Sequence, residues 1–289
     1  MCLSGALRGF CFSVISLWFL WGCNSSTGVA EGDDFTFSII DVGQGLSQIA
    51  FQQNRSVVFD MGPARNYDNW LEEYKRIGKP HIEAIVISHT HEDHWGGLRH
   101  LDSSINWSGT LIISPHEDSS FLREKSTYWR DEIQFELCVW DDTLYFFDEV
   151  IIRCLWPPEN INEMVPIVDR FKNFYSLVFS LEHHRNSVLI TSDIDTLSQQ
   201  NIYEKYGYQL RSDIVVAPHH GSAGSADHIF FGYVLPSVTV ISCSENNTYG
   251  HPSRRMLQEI MNTGSETLLT YIDGTVVFRS NGYYWSRLR

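Results

Sequence analysis

Three imidazoles and two carboxylates fall within six residues of this sequence, His89-Thr90-His91-Glu92-Asp93-His94. Neutral imidazole and carboxylate are what divalent metals take as ligands. Alternate residues of an extended loop project to one side, so His89 and His91 can share one ion while Asp93 and His94 turn toward a second. Gly96 and Gly97 follow and permit a tight turn into a helix, which brings backbone close to the site. Two further segments offer ligands of the same kind, Ser192-Asp193 after one apolar run and His219-His220 after another. Taken alone, Asp193 reads as a helix N-cap and His219 as a loop histidine. Together with the first cluster they form three strand ends carrying metal-type ligands. A two-metal hydrolytic centre needs that arrangement, with a bridging carboxylate, a bridging hydroxide and open positions for substrate. His251 sits in a glycine- and proline-fixed turn, Tyr249-Gly250-His251-Pro252, and can hydrogen-bond a phosphate oxygen or protonate a leaving group.

Each ligand segment needs a strand to deliver it, and apolar or alternating runs predict those strands. Residues 35–40, 47–51 and 56–59 read as three strands in quick succession, followed by a helix over 68–75. Residues 84–88 form a buried strand running into the histidine cluster. Strands over 110–114, 134–138, 144–147 and 150–156 continue a β-rich middle that ends at Pro157-Pro158. A hairpin over 176–181 and 187–191, strands over 214–217, 238–242 and 268–271, and helices over 196–206 and 253–261 complete the pattern. The expected architecture is α/β (α+β), a four-layer αββα sandwich, with residues 33–289 as one domain.

The composition is that of an ordinary globular chain, 43% hydrophobic and 19% charged. A formal net charge of -14 without a basic tract means that any nucleic-acid activity must rely on metals and a few local side chains. The first 22 residues read as a signal peptide, with Arg8 ahead of an apolar stretch too short to span a membrane. Leu20-Trp21-Gly22-Cys23 resembles a bacterial lipobox, so Cys23 is expected to carry lipid, with residues 23–32 as a linker. The chain is therefore placed at the bacterial cell envelope, anchored to the membrane through lipid and facing the periplasm or exterior. Cys138, Cys154 and Cys243 are expected as buried free thiols, with at most one disulfide among them. No feature calls for a protein partner.

His-x-His-x-Asp-His-x-Gly-Gly resembles the signature of the metallo-β-lactamase superfamily. The finer resemblance is to the C-terminal domain of ComEC-type DNA-uptake competence proteins. It rests on Asp41-Val42-Gly43-Gln44-Gly45, Asp60-Met61-Gly62, Leu155-Trp156-Pro157-Pro158, Asn173 before Ser176-Leu177-Val178, Pro218-His219-His220-Gly221-Ser222 and Tyr249-Gly250-His251-Pro252-Ser253. It runs from about residue 35 to the end. The channel of those proteins is not matched, and the expectation is that this chain does not itself transport DNA. The resemblance implies two divalent ions, Zn2+ or Mn2+. His89 and His91 would hold the first, Asp93, His94 and His219 the second, and Asp193 would bridge them. Where the superfamily commonly has another histidine, this sequence has Asn173, whose carbonyl oxygen suits a harder ion such as manganese. His220, expected to face away from the metals, and Ser222 and Asn173 are assigned to the substrate side. Asp93 and His251 are the catalytic candidates. His116, His183 and His184 are expected as exposed loop residues.

The activity implied is hydrolysis of a phosphodiester: the resemblance favours nucleic acid, while the acidic charge and the envelope placement favour a smaller or different ester, such as a choline phosphate or teichoic-acid-type ester. Two readings stand beside it: an amide or lactone hydrolase of the same fold, and a non-catalytic envelope binding protein. His220-Gly221-Ser222 and Tyr249-Gly250-His251 point away from the first. The nearly complete ligand set points away from the second.

Overall fold

A computed structural model describes residues 34–161 and 172–289, so the expected signal peptide, linker and Cys23 lie outside the described residues. The chain folds as two sheets laid face to face. Strands β1 (Phe35–Ile39), β2 (Ser47–Gln52), β3 (Arg55–Met61), β4 (His81–Ile87), β5 (Thr110–Ile113) and β6 (Gln134–Leu137) belong to the first. The second takes β7 (Thr143–Phe147), β8 (Val150–Trp156), β9 (Val178–His183), β10 (Asn186–Ile190), β11 (Ile214–Val216), β12 (Val238–Ile241) and β13 (Glu266–Leu269). The chain then returns to the first sheet with β14 (Val276–Ser280) and β15 (Trp285–Arg287), where β14 pairs antiparallel with β1. The orders are β15-β14-β1-β2-β3-β4-β5-β6 and β13-β12-β11-β10-β9-β8-β7.

Side-chain alternation builds the layers. In β4, Ala84 and Val86 face the space between the sheets, while Ile85 and Ile87 face outward. Val188 and Ile190 of β10 enter the same central core, and Leu189 the opposite face. The outer face of the first sheet is covered by helix α1 (Tyr67–Arg76), which buries Trp70 and Tyr74 completely. Helices α2 (Glu92–Trp95) and α3 (Ser119–Lys125) follow on the same half of the chain. The second sheet is covered by α4 (Thr196–Tyr206), α5 (His228–Val234) and α6 (Arg254–Thr263), through Ile202, Phe230, Phe231, Met256 and Ile260. Each such buried side chain contributes about 1.5–3 kcal/mol relative to exposure. The result is the metallo-β-lactamase sandwich, with layers in the order helix, sheet, sheet, helix.

β3, β4, β5 and β6 run parallel, as do β10, β11, β12 and β13. The ligand segments follow β4, β10 and β11, at the carboxyl ends of parallel strands, where α/β sheets place their sites. Several local expectations needed correction. Residues 268–271 were expected as one strand, but β13 stops at Leu269 and α7 (Thr270–Asp273) begins. Asp273 Oδ2 accepts the Leu269 N–H at 2.9 Å, and the Thr270 hydroxyl pairs with Cys243 backbone, which ends the ladder there. β9 begins at Val178, so Ser176 lies outside the expected strand over 176–181, with its hydroxyl 3.2 Å from His89 Nδ1. The strands β14 and β15 carry no ligand and were not expected at all. His183 is buried, with Nδ1 2.8 Å from Ser280 Oγ, whereas its neighbour His184 is about half exposed. His116 is also buried, its Nε2 3.0 Å from the Pro158 carbonyl. Cys138, Cys154 and Cys243 are free and buried.

Candidate metal centre

β4 ends at Ile87, and Ser88 to His91 form a bent loop before α2 begins at Glu92. That break in geometry lets His89 and His91 approach from the loop and Asp93 and His94 from the helix. Both glycines after His94 are required by packing. A Cβ on Gly96 would lie 2.4 Å from Ala64 N, and one on Gly97 2.4 Å from Met61 O. The first turn after the ligands therefore rests directly on the end of β3. At the end of β11, His219 (φ 51°) and His220 (φ 53°) are both left-handed, a conformation costing roughly 1–2 kcal/mol per non-glycine residue. Two such residues in succession break the in-out alternation of extended chain, so both imidazoles turn inward.

Asp193 sits at the centre. Its Oδ1 lies 3.2 Å from His94 Nε2 and 3.5 Å from His220 Nε2. Its Oδ2 lies 3.8 Å from His89 Nε2 and 3.6 Å from His219 Nε2. His91 Nδ1 is 2.9 Å from His89 Nε2, and Asp93 Oδ2 is 3.4 Å from His220 Nε2. One flank of Asp193 thus gathers His89, His91 and His219, with the Asn173 amide 3.3 Å from both His219 ring nitrogens. The other gathers Asp93, His94 and His220. The two adjacent histidines are exchanged relative to expectation: His220, expected to face outward, joins Asp93 and His94, and His219 fills the flank where the extra superfamily histidine is lacking.

The donor set fits divalent metal. His94 Nε2, Asp193 Oδ1, His220 Nε2 and Asn173 Oδ1 are all buried without a hydrogen-bond partner. An unsatisfied buried polar atom costs about 1–3 kcal/mol, and a carboxylate oxygen in that state facing two imidazole nitrogens in the same state, with an amide oxygen nearby, calls for a cation. Two sets of ligand atoms, His89–His94–Asp193 and Asp93–His94–His220, lie within 4.8 Å of one another. The electrostatics divide the ligands: burial opposes charge on His94 and His220, but Asp193 with Asp60 for the one, and Asp193 with Asp93 for the other, raise their pKa values, so a metal binding there displaces a proton. Burial alone would raise the Asp193 pKa, but His94, His220 and His219 hold it well below the carboxylate range. Burial also opposes ionisation of Asp93, and its contact with His220 and the charge of His94 outweigh it. For His89, burial and then His94 push the pKa well down, which favours the neutral imidazole a metal requires.

Behind the ligands lies a layer that motif reading left without a role. Asp60, itself left-handed (φ 56°), accepts His94 Nδ1–H at 2.7 Å, Ser88 N–H at 2.8 Å and the Ser88 hydroxyl at 2.8 Å. The Ser242 carbonyl accepts His220 Nδ1–H at 3.0 Å. Both bonds aim Nε2 at the centre. The sequence signals for Asp60 are its place in the motif Asp60-Met61-Gly62 and at the end of the apolar run Val57-Val58-Phe59, neither of which names its partner.

In front of the ligands is an open pocket of about 600 Å³, with Gln44, Arg65, Asp93, His219, Tyr249 and His251 on its walls. Gln44 Oε1 accepts Ser244 N–H at 3.4 Å, which leaves its amide nitrogen 3.5 Å from His251 Nδ1. Nδ1 is then the acceptor and the His251 proton resides on Nε2. Burial, then the charges of His220 and His219, lower the His251 pKa to about 4, so it is neutral at pH 7. Ser222 does not line the pocket; its hydroxyl accepts Gly224 N–H at 3.3 Å in the following turn, and its expected substrate-side position is corrected accordingly.

Residues 20–163 match the family model described as the metallo-beta-lactamase superfamily. Competence protein ComA of Neisseria gonorrhoeae is 28% identical over 244 residues, which are 83% of this chain and 32% of that protein. ComE operon protein 3 of Bacillus subtilis is 26% identical over 296 residues, 94% of this chain and 35% of that protein. The chain thus spans about a third of the length of these relatives. Among solved structures, the metallo-beta-lactamase fold protein YhfI from Bacillus subtilis aligns with a TM-score of 0.55 at 14% identity, covering 86% of this chain and 100% of that one.

Proposed function

Because this chain is a metallo-β-lactamase-fold hydrolase, we propose that its reaction is the hydrolysis of phosphodiester bonds and that nucleic acid is a substrate. The reading is carried by the pocket in front of Asp193, where ligands on both flanks meet Arg65 and a neutral histidine, His251. In an acidic protein, a guanidinium on the wall of the cleft in front of Asp193 favours an anionic substrate. Two ions, Zn2+ or Mn2+, held by His89, His91, His219 and Asp193 on one flank and by Asp93, His94, His220 and Asp193 on the other, would polarise the phosphoryl oxygen and supply the hydroxide. The buried amide oxygen of Asn173 beside the first flank favours manganese there.

The protein's own groups divide the remaining work. Arg65 binds a phosphate oxygen and orients the chain of the substrate. His251, with its proton on Nε2, donates to a phosphoryl oxygen or to the leaving group. Asp93 accepts a proton at Oδ2 as the nucleophile is generated. The competence-protein name of one relative, with the resemblance to DNA-uptake proteins, is the support for nucleic acid over other phosphodiesters. Envelope placement through lipid on Cys23 belongs to the same proposal: Cys23→Ser is expected to move the chain to the soluble fraction, and unchanged membrane fractionation with no acyl label on the parent would refute it. For the chemistry, the purified chain is assayed with Mn2+ and Zn2+ against single-stranded DNA, RNA, a chromogenic phosphodiester, a β-lactam and a lactone. Cleavage of phosphodiesters that vanishes on chelation is expected; turnover of the β-lactam or lactone alone would overturn the reading.

A further inference from the structure

Three buried serines link the two metal-facing histidines His89 and His94 through one carboxylate. Asp60 and Ser88 come from the first sheet, at the ends of β3 and β4; Ser176 and Ser192 come from the second, before β9 and after β10. All four side chains are buried. The Ser88 hydroxyl donates to Asp60 Oδ2 at 2.8 Å, the Ser192 hydroxyl to Ser88 Oγ at 2.6 Å, and the Ser176 hydroxyl to Ser192 Oγ at 2.9 Å. His89 Nδ1 lies 3.1 Å from Ser88 Oγ and 3.2 Å from Ser176 Oγ.

The polarity of this chain follows from its end. A carboxylate only accepts, and a hydroxyl has one hydrogen to give. Ser88 spends its hydrogen on Asp60, Ser192 must then give to Ser88, and Ser176 to Ser192. Neither hydroxyl facing His89 has a hydrogen left, so His89 Nδ1 has to be the donor. Its Nε2 is thereby left with the lone pair, on the side of Asp193 and His91. His94 fixes its Nδ1–H directly, by donating to Asp60 at 2.7 Å, while Asp193 and Asp60 together favour the charged ring until a metal takes the place of the Nε2 proton.

We propose that Ser192, Ser88 and Ser176 are positioning residues which carry the acceptor character of Asp60 across the two sheets to His89, so that one carboxylate sets the tautomer of a histidine on each flank of the metal centre. The inference rests on the metal-site reading above but is tested apart from it. It makes a counter-intuitive demand: Ser192, which does not touch His89, matters more to that imidazole than Ser176, which does. In Ser192→Ala the Ser176 hydrogen loses its acceptor and turns to His89 Nδ1, pulling the ring toward the Nε2–H tautomer. In Ser176→Ala that hydrogen is gone, and Nδ1–H still donates to Ser88.

The test is nitrogen-detected NMR of the histidine side chains in metal-free protein, with ion affinities by calorimetry alongside. Wild type and Ser176→Ala are expected to show His89 and His94 protonated at Nδ1. Ser192→Ala is expected to shift His89 alone and to weaken one ion about 10-fold, in the range found when partners of ligating histidines are removed. The double variant Ser176→Ala/Ser192→Ala is expected to restore both, because the competing hydrogen is absent. An unchanged His89 tautomer in Ser192→Ala, or a double variant no better than the single, would overturn the proposal. A wild type that takes up no ion would sink the metal reading while leaving the tautomer result to stand or fall by itself.

Discussion

The two flanks of Asp193 hold their histidines with different firmness. On the Asp93 flank, His94 and His220 are both buried, and each donates Nδ1–H to a fixed oxygen, the Asp60 carboxylate or the Ser242 carbonyl. A second carboxylate, Asp93, adds charge there. On the other flank only His89 is buried; the His219 side chain is 29% exposed, and His91 is partly exposed. The neighbour of His219 is the neutral amide of Asn173. A ligand whose far nitrogen is already anchored loses little freedom when it binds, and a flank with an extra carboxylate attracts a cation more strongly. If both flanks take an ion, as proposed, the one beside Asp93 is expected to be held tightly and the one beside His219 more weakly.

The largest expected effect tests the firm flank. Asp93→Asn keeps the shape of the side chain but removes the charge proposed to bind the cation and to take up the proton. A fall in kcat of about 10²-fold or more on a phosphodiester is expected, with folding preserved by circular dichroism. Full activity in this variant would remove Asp93 from the chemistry. Next comes the direct comparison of adjacent histidines. His220→Ala should weaken the tight ion by about 10- to 100-fold, whereas His219→Ala should weaken only the second ion, as read by calorimetric titration of Mn2+ or Zn2+. Equal losses on the same ion would mean that the two flanks are not distinct.

What the sequence disclosed follows the same division. Ligands packed into one contiguous segment at a strand end, His89 to His94, were legible because their density has no structural explanation. Asp193 was legible through its place after an apolar run. The exchange of His219 and His220 was not, because it depends on two consecutive left-handed residues that no residue type announces. Asp60 escaped assignment since its partner, His94, is 34 residues away and the pairing exists only when β3 and β4 lie side by side. His116 and His183 looked like surface residues because burial of a lone polar side chain depends on a distant partner, here the Pro158 carbonyl and the Ser280 hydroxyl. Most of the strands were visible by alternation. Those that carry no chemistry, β14 and β15, were passed over.

The smallest effect concerns the backbone between His89 and His91, on the looser flank. Thr90 N–H is held at 3.0 Å by Glu117 Oε1, and Glu117 is buried. Burial raises the Glu117 pKa to about 7, with the Thr90 hydrogen bond opposing the rise. A carboxyl whose folded pKa exceeds its unfolded value binds its proton more strongly in the native state. Its contribution to stability is complete below the unfolded value near 4.5 and is lost as pH rises through about 7. The whole difference amounts to at most roughly 3.4 kcal/mol by linkage. Glu117→Gln retains an oxygen for Thr90 N–H and removes the ionisation. The metal-free variant is therefore expected to match the parent near pH 4 and to be more stable by about 1–3 kcal/mol at pH 8, measured by urea unfolding. If the gain is equal at both pH values, or absent at pH 8, then Glu117 does not make the loop of the first flank sensitive to pH. A gain confined to high pH would instead show that part of this flank's looseness is electrostatic, arising from a charge forced into the interior directly beneath two of its ligands.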